Sequence, residues 1–197
     1  MRPTFSVIIP TKGRPSLKHT LESLLGQLEP GDEVIVLRDS SGDYGDAAVN
    51  DAMTRAKGTH LTFVQDDDVY LPGAFEAMRA FAEHNPTRVG IFRMRSTVGT
   101  HIWNEPVFRF KNVSTQNYVV PNAPGKLGRW HTDSPDGRNG DWYFIKETAD
   151  LQGEPMLVDH DTVWFAVERN PLKRVYYKAR FKAKLGTRLR SLRARLP

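Results

Sequence analysis

The stretch Leu61-Thr-Phe-Val-Gln-Asp-Asp-Asp68 runs from an apolar segment straight into three consecutive carboxylates. Leu61 to Val64 reads as a short buried strand. Like charges in one cramped turn repel unless a cation neutralises them. Hard oxygen ligands of this kind suit Mg²⁺ or Mn²⁺, and such a metal commonly bridges to a diphosphate. The same residues could instead form a solvated acidic turn ahead of the helix that Pro72 opens, since Asp is favourable near a helix N-terminus.

The segments on either side extend the pattern. Phe5 to Ile9 is an apolar run stopped by Pro10, and reads as a strand. Leu17, Leu21, Leu24, Leu25 and Leu28 follow at helical spacing, between a start at Pro15-Ser16 and a stop at Pro30-Gly31. Val34 to Leu37 is a second strand, leading into a polar loop from Arg38 to Gly45. Ala47 to Ala56 reads as a helix with Gly58 as its C-terminal cap. After the acidic triplet come a helix to His84 and a strand from Val89 to Met94. Strands alternating with helices predict an α/β fold with a mainly parallel central sheet flanked by helices. Ligands in such sheets bind beyond the carboxyl ends of the strands. That rule puts three loops on one rim: Thr11 to Pro15, Asp39 to Gly45, and Asp66 to Tyr70. Further on, the sequence predicts short strands within 100–120, a loop over 121–140, a helix over 141–149 and one or two strands over 156–168.

Composition bounds the chemistry. The 197 residues fit one domain, and 39% hydrophobic content is enough for a packed core. The absence of cysteine excludes a disulfide scaffold, a thiolate zinc site and a cysteine nucleophile. No window approaches the roughly 18 apolar residues of a membrane span, so the expectation is a cytoplasmic chain, soluble or peripheral at a membrane. The net charge of +5 is unevenly spread. Ten of the 28 Lys/Arg lie from Leu172 onward with no acid, so 18 face all 23 Asp/Glu before it, a net −5. Tyr177, Phe181, Leu185, Leu189, Leu192 and Leu196 make one apolar stripe in that basic segment. An amphipathic helix over 172–197 is therefore expected, suited to anionic lipid or to DNA or RNA phosphates. Packing of the stripe on the protein body is the other use.

Several segments in order resemble the family 2 glycosyltransferases of the A-type fold. They are Phe5-Ser-Val-Ile-Ile-Pro-Thr-Lys-Gly-Arg14, Leu21-Glu-Ser-Leu-Leu-Gly-Gln27, Glu33-Val-Ile-Val-Leu-Arg-Asp-Ser-Ser-Gly-Asp43, Gly45, Asn50, Ala56-Lys-Gly58, Phe63-Val-Gln-Asp-Asp-Asp68 and Leu71-Pro-Gly73. The likeness covers residues 5–75. It implies a nucleotide-sugar donor, usually a UDP-sugar, bound by Pro10, Thr11, Lys12, Arg14, Asp39, Asp66 and Asp67. It also implies a Mn²⁺ or Mg²⁺ cofactor on Asp67 and Asp68, with His160 or Glu168 as a later ligand. The family's Asp-X-Asp pair would fall on Gln65 and Asp67, one residue out of register with the literal Asp66-X-Asp68. Gly140-Asp-Trp-Tyr-Phe144 is similar to the family's Glu-Asp-aromatic motif, which makes Asp141 the general base, with Gly140 in place of the preceding acid. An N-cap is the plainer use of Asp141. Trp130, His131 and Trp142 are expected on the acceptor side, where Trp130 could stack on a sugar.

The resemblance divides the chain into a glycosyltransferase domain, 1–171, and a tail, 172–197. Within the domain, 1–95 would bind the nucleotide sugar and 96–171 the acceptor. The implied reaction is inverting transfer to a hydroxyl, either of a cell-envelope glycan or lipid-linked acceptor, or of a hydroxylated base in DNA. Two other classes fit the sequence less well. A sugar nucleotidyltransferase needs a glycine-rich loop after the first strand, and Thr11 to Pro15 has one glycine. A non-catalytic basic module binding membrane or nucleic acid accounts for the tail but leaves Asp39 and Asp66 to Asp68 without a role.

Overall fold

The computed structural model describes residues 2–40, 45–96, 101–131 and 139–165. The basic tail, Glu168 and much of the loop before Asp141 lie outside these residues. Strands β1 (Phe5–Thr11), β2 (Glu33–Arg38) and β3 (His60–Phe63) alternate with helices α1 (Leu17–Leu25) and α2 (Asp46–Arg55). A two-residue strand β4 (Val69–Tyr70) precedes α3 (Ala74–His84), followed by β5 (Gly90–Ser96) and β6 (His101–Ile102). A single 3-10 turn, Thr115–Asn117, leads into β7 (Tyr118–Pro121), then α4 (Gly140–Gln152) and β8 (Met156–Phe165).

The strands form one sheet in the order β2-β1-β3-β7-β5-β8-β4, with β6 paired to β5. β1 pairs parallel with both β2 and β3, as the alternation predicts. The fourth long strand does not extend that parallel set. β7 inserts antiparallel between β3 and β5, and β8 runs parallel to β5, so the sheet is mixed.

β1 is buried because it lies in the sheet interior with a helix layer on each face. Phe5, Val7 and Ile9 pack in one cluster with Leu24 of α1 and with Ala74, Phe75 and Met78 of α3. Ile8 points the other way, to Val49 and Ala52 of α2 and Phe144 and Ile145 of α4. That is the period-2 alternation of a strand between two helical layers. Two details differ from the sequence reading. Gly58 does not cap α2, whose C-cap is Ala56. A Cβ at Gly58 would lie 2.5 Å from Ser6 N, so glycine there permits close approach of the turn to β1. Helix α3 starts after Gly73, not at Pro72, because β4 occupies the chain just before it.

No helix among the described residues is long and apolar enough to cross a membrane.

Candidate active site

The order β2-β1-β3 reverses direction at β1, which opens a crevice beyond the carboxyl ends of β1 and β3. Thr11 ends β1 there, and Asp66 follows β3. Thr11 Oγ1 donates to Asp66 Oδ2 at 2.5 Å, and the Lys12 amide donates to the same oxygen at 3.3 Å. Arg14 Nη1 lies 3.0 Å from Asp66 Oδ1 and 3.2 Å from Asp67 Oδ2. Asp39 joins them: its amide donates to Thr11 O at 2.8 Å, and its carboxylate is 3.7 Å from Lys12 Nζ. Asp66 and the Asp39 side chain are 3% and 4% exposed, whereas Lys12 and Arg14 are about half exposed. Thr11, Lys12, Arg14, Asp39 and Asp66 enclose a cleft of about 140 Å³ with Pro10 and Gln65. The donor-binding residues expected from sequence therefore meet at one place, with two half-exposed cations beside two buried carboxylates.

The three carboxylates of the triplet diverge. Asp66 turns to β1, and Asp67 is half-buried beneath Arg14. Asp68 turns inward, 2% exposed, and its Oδ2 accepts from Gln116 Nε2 at 2.8 Å. Thr20 Oγ1 fixes the turn by donating to Asp68 O at 2.7 Å. No group of three His, Asp or Glu able to hold a metal occurs among the described residues. His160 is not brought to the triplet. It is exposed on β8, four residues before Trp164, which pairs with Val69 beside Asp68. The acids flanking His160 are engaged elsewhere: Asp159 pairs with Arg93 of β5, and Asp161 with Arg95 at 3.0 Å.

Asp141 sits in the first turn of α4, one residue inside the helix, so it is not the N-cap. Its Oδ1 accepts from the Trp142 amide at 2.9 Å, and its Oδ2 from Thr115 Oγ1 at 3.4 Å. Burial raises its pKa above the ordinary carboxylate value, and the hydrogen bonds partly oppose that shift. The nearby Tyr118 hydroxyl is pushed well above its ordinary value by burial, with Asp141 adding to the shift. Among the described residues, Tyr118 Oη and Asn117 Nδ2 are buried without a hydrogen-bond partner.

The acceptor-side expectations divide. Trp130 does not offer an open face for a sugar. It is 5% exposed, stacked on Phe144 at 5.1 Å and 16°, and packed on Phe63. Asn50 anchors its backbone from α2, donating to Trp130 O at 2.8 Å and accepting from Trp130 N at 3.0 Å. His131 is half-buried, with Nε2 2.6 Å from Glu147 Oε1. Trp142 lies against Phe108 and Phe110 in an aromatic groove of about 450 Å³ along α4. A hollow of about 470 Å³ at the opposite end of β3, beside Thr59 and Pro121, has Lys126 as its sole ionisable lining residue.

Sequence reading missed Thr115 and Gln116, which fall where short strands were expected but form a 3-10 turn and are 7% and 6% exposed. It also missed Asp46, whose carboxylate abuts Gly140.

No protein-family model and no curated protein sequence matches the chain. By structure it is similar to S. aureus TarS 1-349, with a TM-score of 0.63 and 15% identity over 82% of this chain and 60% of that one. TarS 1-349 in complex with UDP-GlcNAc gives a TM-score of 0.57 and 18% identity over 82% and 58%. The mannosyltransferase PcManGT from Pyrobaculum calidifontis, in complex with GDP-Man and Mn²⁺, gives 0.59 and 14% over 86% and 59%. The fold is thus the A-type α/β fold of glycosyltransferases, a curled mixed sheet between helices. The chain spans about 60% of the length of these solved structures.

Proposed function

We propose that this chain is a family 2, inverting glycosyltransferase that moves a sugar from a nucleoside diphosphate donor, a UDP-sugar foremost, to an acceptor hydroxyl. The observation that supports it most is the convergence of Asp39, Asp66 and Asp67 at the β1–β3 crevice, with the buried Asp141 tied to the same rim through Thr115 and Gln116. TarS binds UDP and UDP-GlcNAc on the same fold, and PcManGT binds GDP-Man with Mn²⁺.

In this reading Asp39 accepts hydrogen bonds from the base, and Pro10 and Thr11 wall the nucleoside. Lys12 and Arg14 are long, half-exposed cations placed to turn from the carboxylates to the donor's phosphates. Asp67, on the open side of the triplet and next to Asp66, suits a hard cation that takes one or two carboxylates and completes its shell with phosphate and water. Mn²⁺ or Mg²⁺ held there would neutralise charge on the leaving diphosphate. Asp141 takes the proton of the acceptor hydroxyl as its oxygen attacks the anomeric carbon. The bond from that carbon to the diphosphate breaks on the opposite face, and the diphosphate leaves with the electron pair. The raised pKa keeps Asp141 a better base than an exposed carboxylate.

The test is release of nucleoside diphosphate from UDP- and GDP-sugars incubated with the chain and Mn²⁺. Release that Asp39→Ala and Asp67→Ala both suppress supports the reading. A chain inert towards every nucleotide sugar overturns it.

A further inference from the structure

The first turn of α2 is wedged between the donor cleft and the start of α4. Gly45, with φ 88°, backs onto the cleft: a Cβ there would lie 2.8 Å from Pro10 Cβ and 3.8 Å from Asp39 Cβ. Asp46, the next residue, faces the other way. Its carboxylate lies over Gly140, where an added Cβ would be within 2.9 Å of Asp46 Cγ and both oxygens. Gly140 is buried, is the first residue of α4, and directly precedes Asp141.

A glycine can be required for its backbone conformation or for room. Gly140 is not among the glycines of positive φ, so its backbone is open to any L-residue. What it supplies is space, and the group that fills the space is a carboxylate from another helix. Negative charge in the first turn of α2 and at the start of α4 is favoured by both helix dipoles. Because Asp141 Oδ1 is bonded to the Trp142 amide of the same turn, any shift of that turn moves the base with it.

We propose that Asp46 is a positioning residue of the reaction centre. Its carboxylate, seated on Gly140, sets the first turn of α4 against the donor cleft and so aims Asp141 at the acceptor hydroxyl. The proposal rests on the transferase reading above. Asp46 does not line the cleft, so its effect falls on turnover and not on donor affinity. A misplacement of about 1 Å in a reacting geometry can cost on the order of 10²-fold in rate.

Moving the carboxylate from one helix to the other tests this. Asp46→Ala should lower kcat by about 10- to 100-fold, with the Kd for the nucleotide sugar unchanged. Gly140→Asp alone forces two carboxylates into one space and should lower both Tm and turnover. The double variant, Asp46→Ala with Gly140→Asp, puts one carboxylate back from the α4 side and should recover most of both. Wild-type turnover in Asp46→Ala, or a double variant no better than the singles, would overturn the proposal. Absence of turnover in the wild type would instead overturn the reading on which it rests, and the three melting temperatures would still report whether the two side chains compete for one space.

Discussion

Gln116 Nε2 donates to Asp68 Oδ2 at 2.8 Å, while its neighbour Thr115 donates to Asp141 Oδ2 at 3.4 Å. One buried 3-10 turn therefore ties the acidic loop after β3 to the carboxylate that opens α4. The two ends of the proposed reaction, leaving group and nucleophile, are linked by two adjacent residues of that turn.

Gln116→Leu removes that donor from a carboxylate that is 2% exposed. Loss of a buried partner costs about 1–3 kcal/mol, so the urea midpoint should fall with the m-value unchanged. Turnover should fall as well, since the turn that also carries Thr115 to Asp141 loses its anchor on Asp68. An unchanged midpoint would show that the contact contributes nothing.

Asp141→Asn keeps size and hydrogen-bond acceptance but cannot take a proton. Transfer should fall by about 10²- to 10⁴-fold with nucleotide binding intact. The acid limb of the kcat/KM profile should lie above the ordinary carboxylate range, because folding raises this pKa. The sign for stability follows. A group whose pKa is raised in the folded state stabilises the fold below its unfolded pKa and loses that contribution as pH climbs through the folded value. At neutral pH the buried charge of Asp141 is therefore a cost, and the Asn variant should be at least as stable as wild type.

His60 gives the opposite slope. Burial lowers its pKa from 6.5 to about 4, so the fold holds it neutral. Its contribution is complete above the unfolded pKa and is lost as pH falls through the folded value. The loss between pH 6.5 and 4 should be about 3 kcal/mol, at 1.36 kcal/mol per unit. His60→Gln should flatten the wild-type curve of Tm against pH over that range. A curve of the same slope in both proteins would contradict the assignment.

Trp130→Ala should behave as truncation of a core residue. Its ring is buried against Phe144 and Phe63, so a loss of about 3–5 kcal/mol is expected by chemical denaturation. A variant of unchanged stability with only the acceptor KM raised would restore a sugar-stacking role.

The sequence was most legible where pattern and burial coincide. β1, β2 and β3 are short β-branched runs, and α1 to α3 show helical spacing with glycine or proline punctuation. The residues that meet at the β1–β3 crevice were legible for the same reason, because they lie at or just beyond the ends of readable strands. β4 has two residues and no pattern of its own; it exists because Val69 and Tyr70 pair with Trp164 and Val163 of β8. The place of β7 between β3 and β5 is likewise a tertiary outcome. Thr115-Gln116-Asn117 is polar, and its buried Thr115 and Gln116 find partners in Asp141 and Asp68, far away in sequence. Asp46 looks like any acid in a first helical turn. Its contact with Gly140, 94 residues on, leaves no local signal.

The most direct measurement is thermal denaturation with UDP and UDP-sugars in Mn²⁺ and in EDTA, since a ligand of the native state must raise Tm. The account predicts a rise for wild type in Mn²⁺ that disappears in EDTA and in Asp67→Ala, and shrinks in Asp39→Ala. An equal rise in EDTA would contradict the metal-bridged diphosphate, and no rise with any nucleotide sugar would contradict the donor site itself.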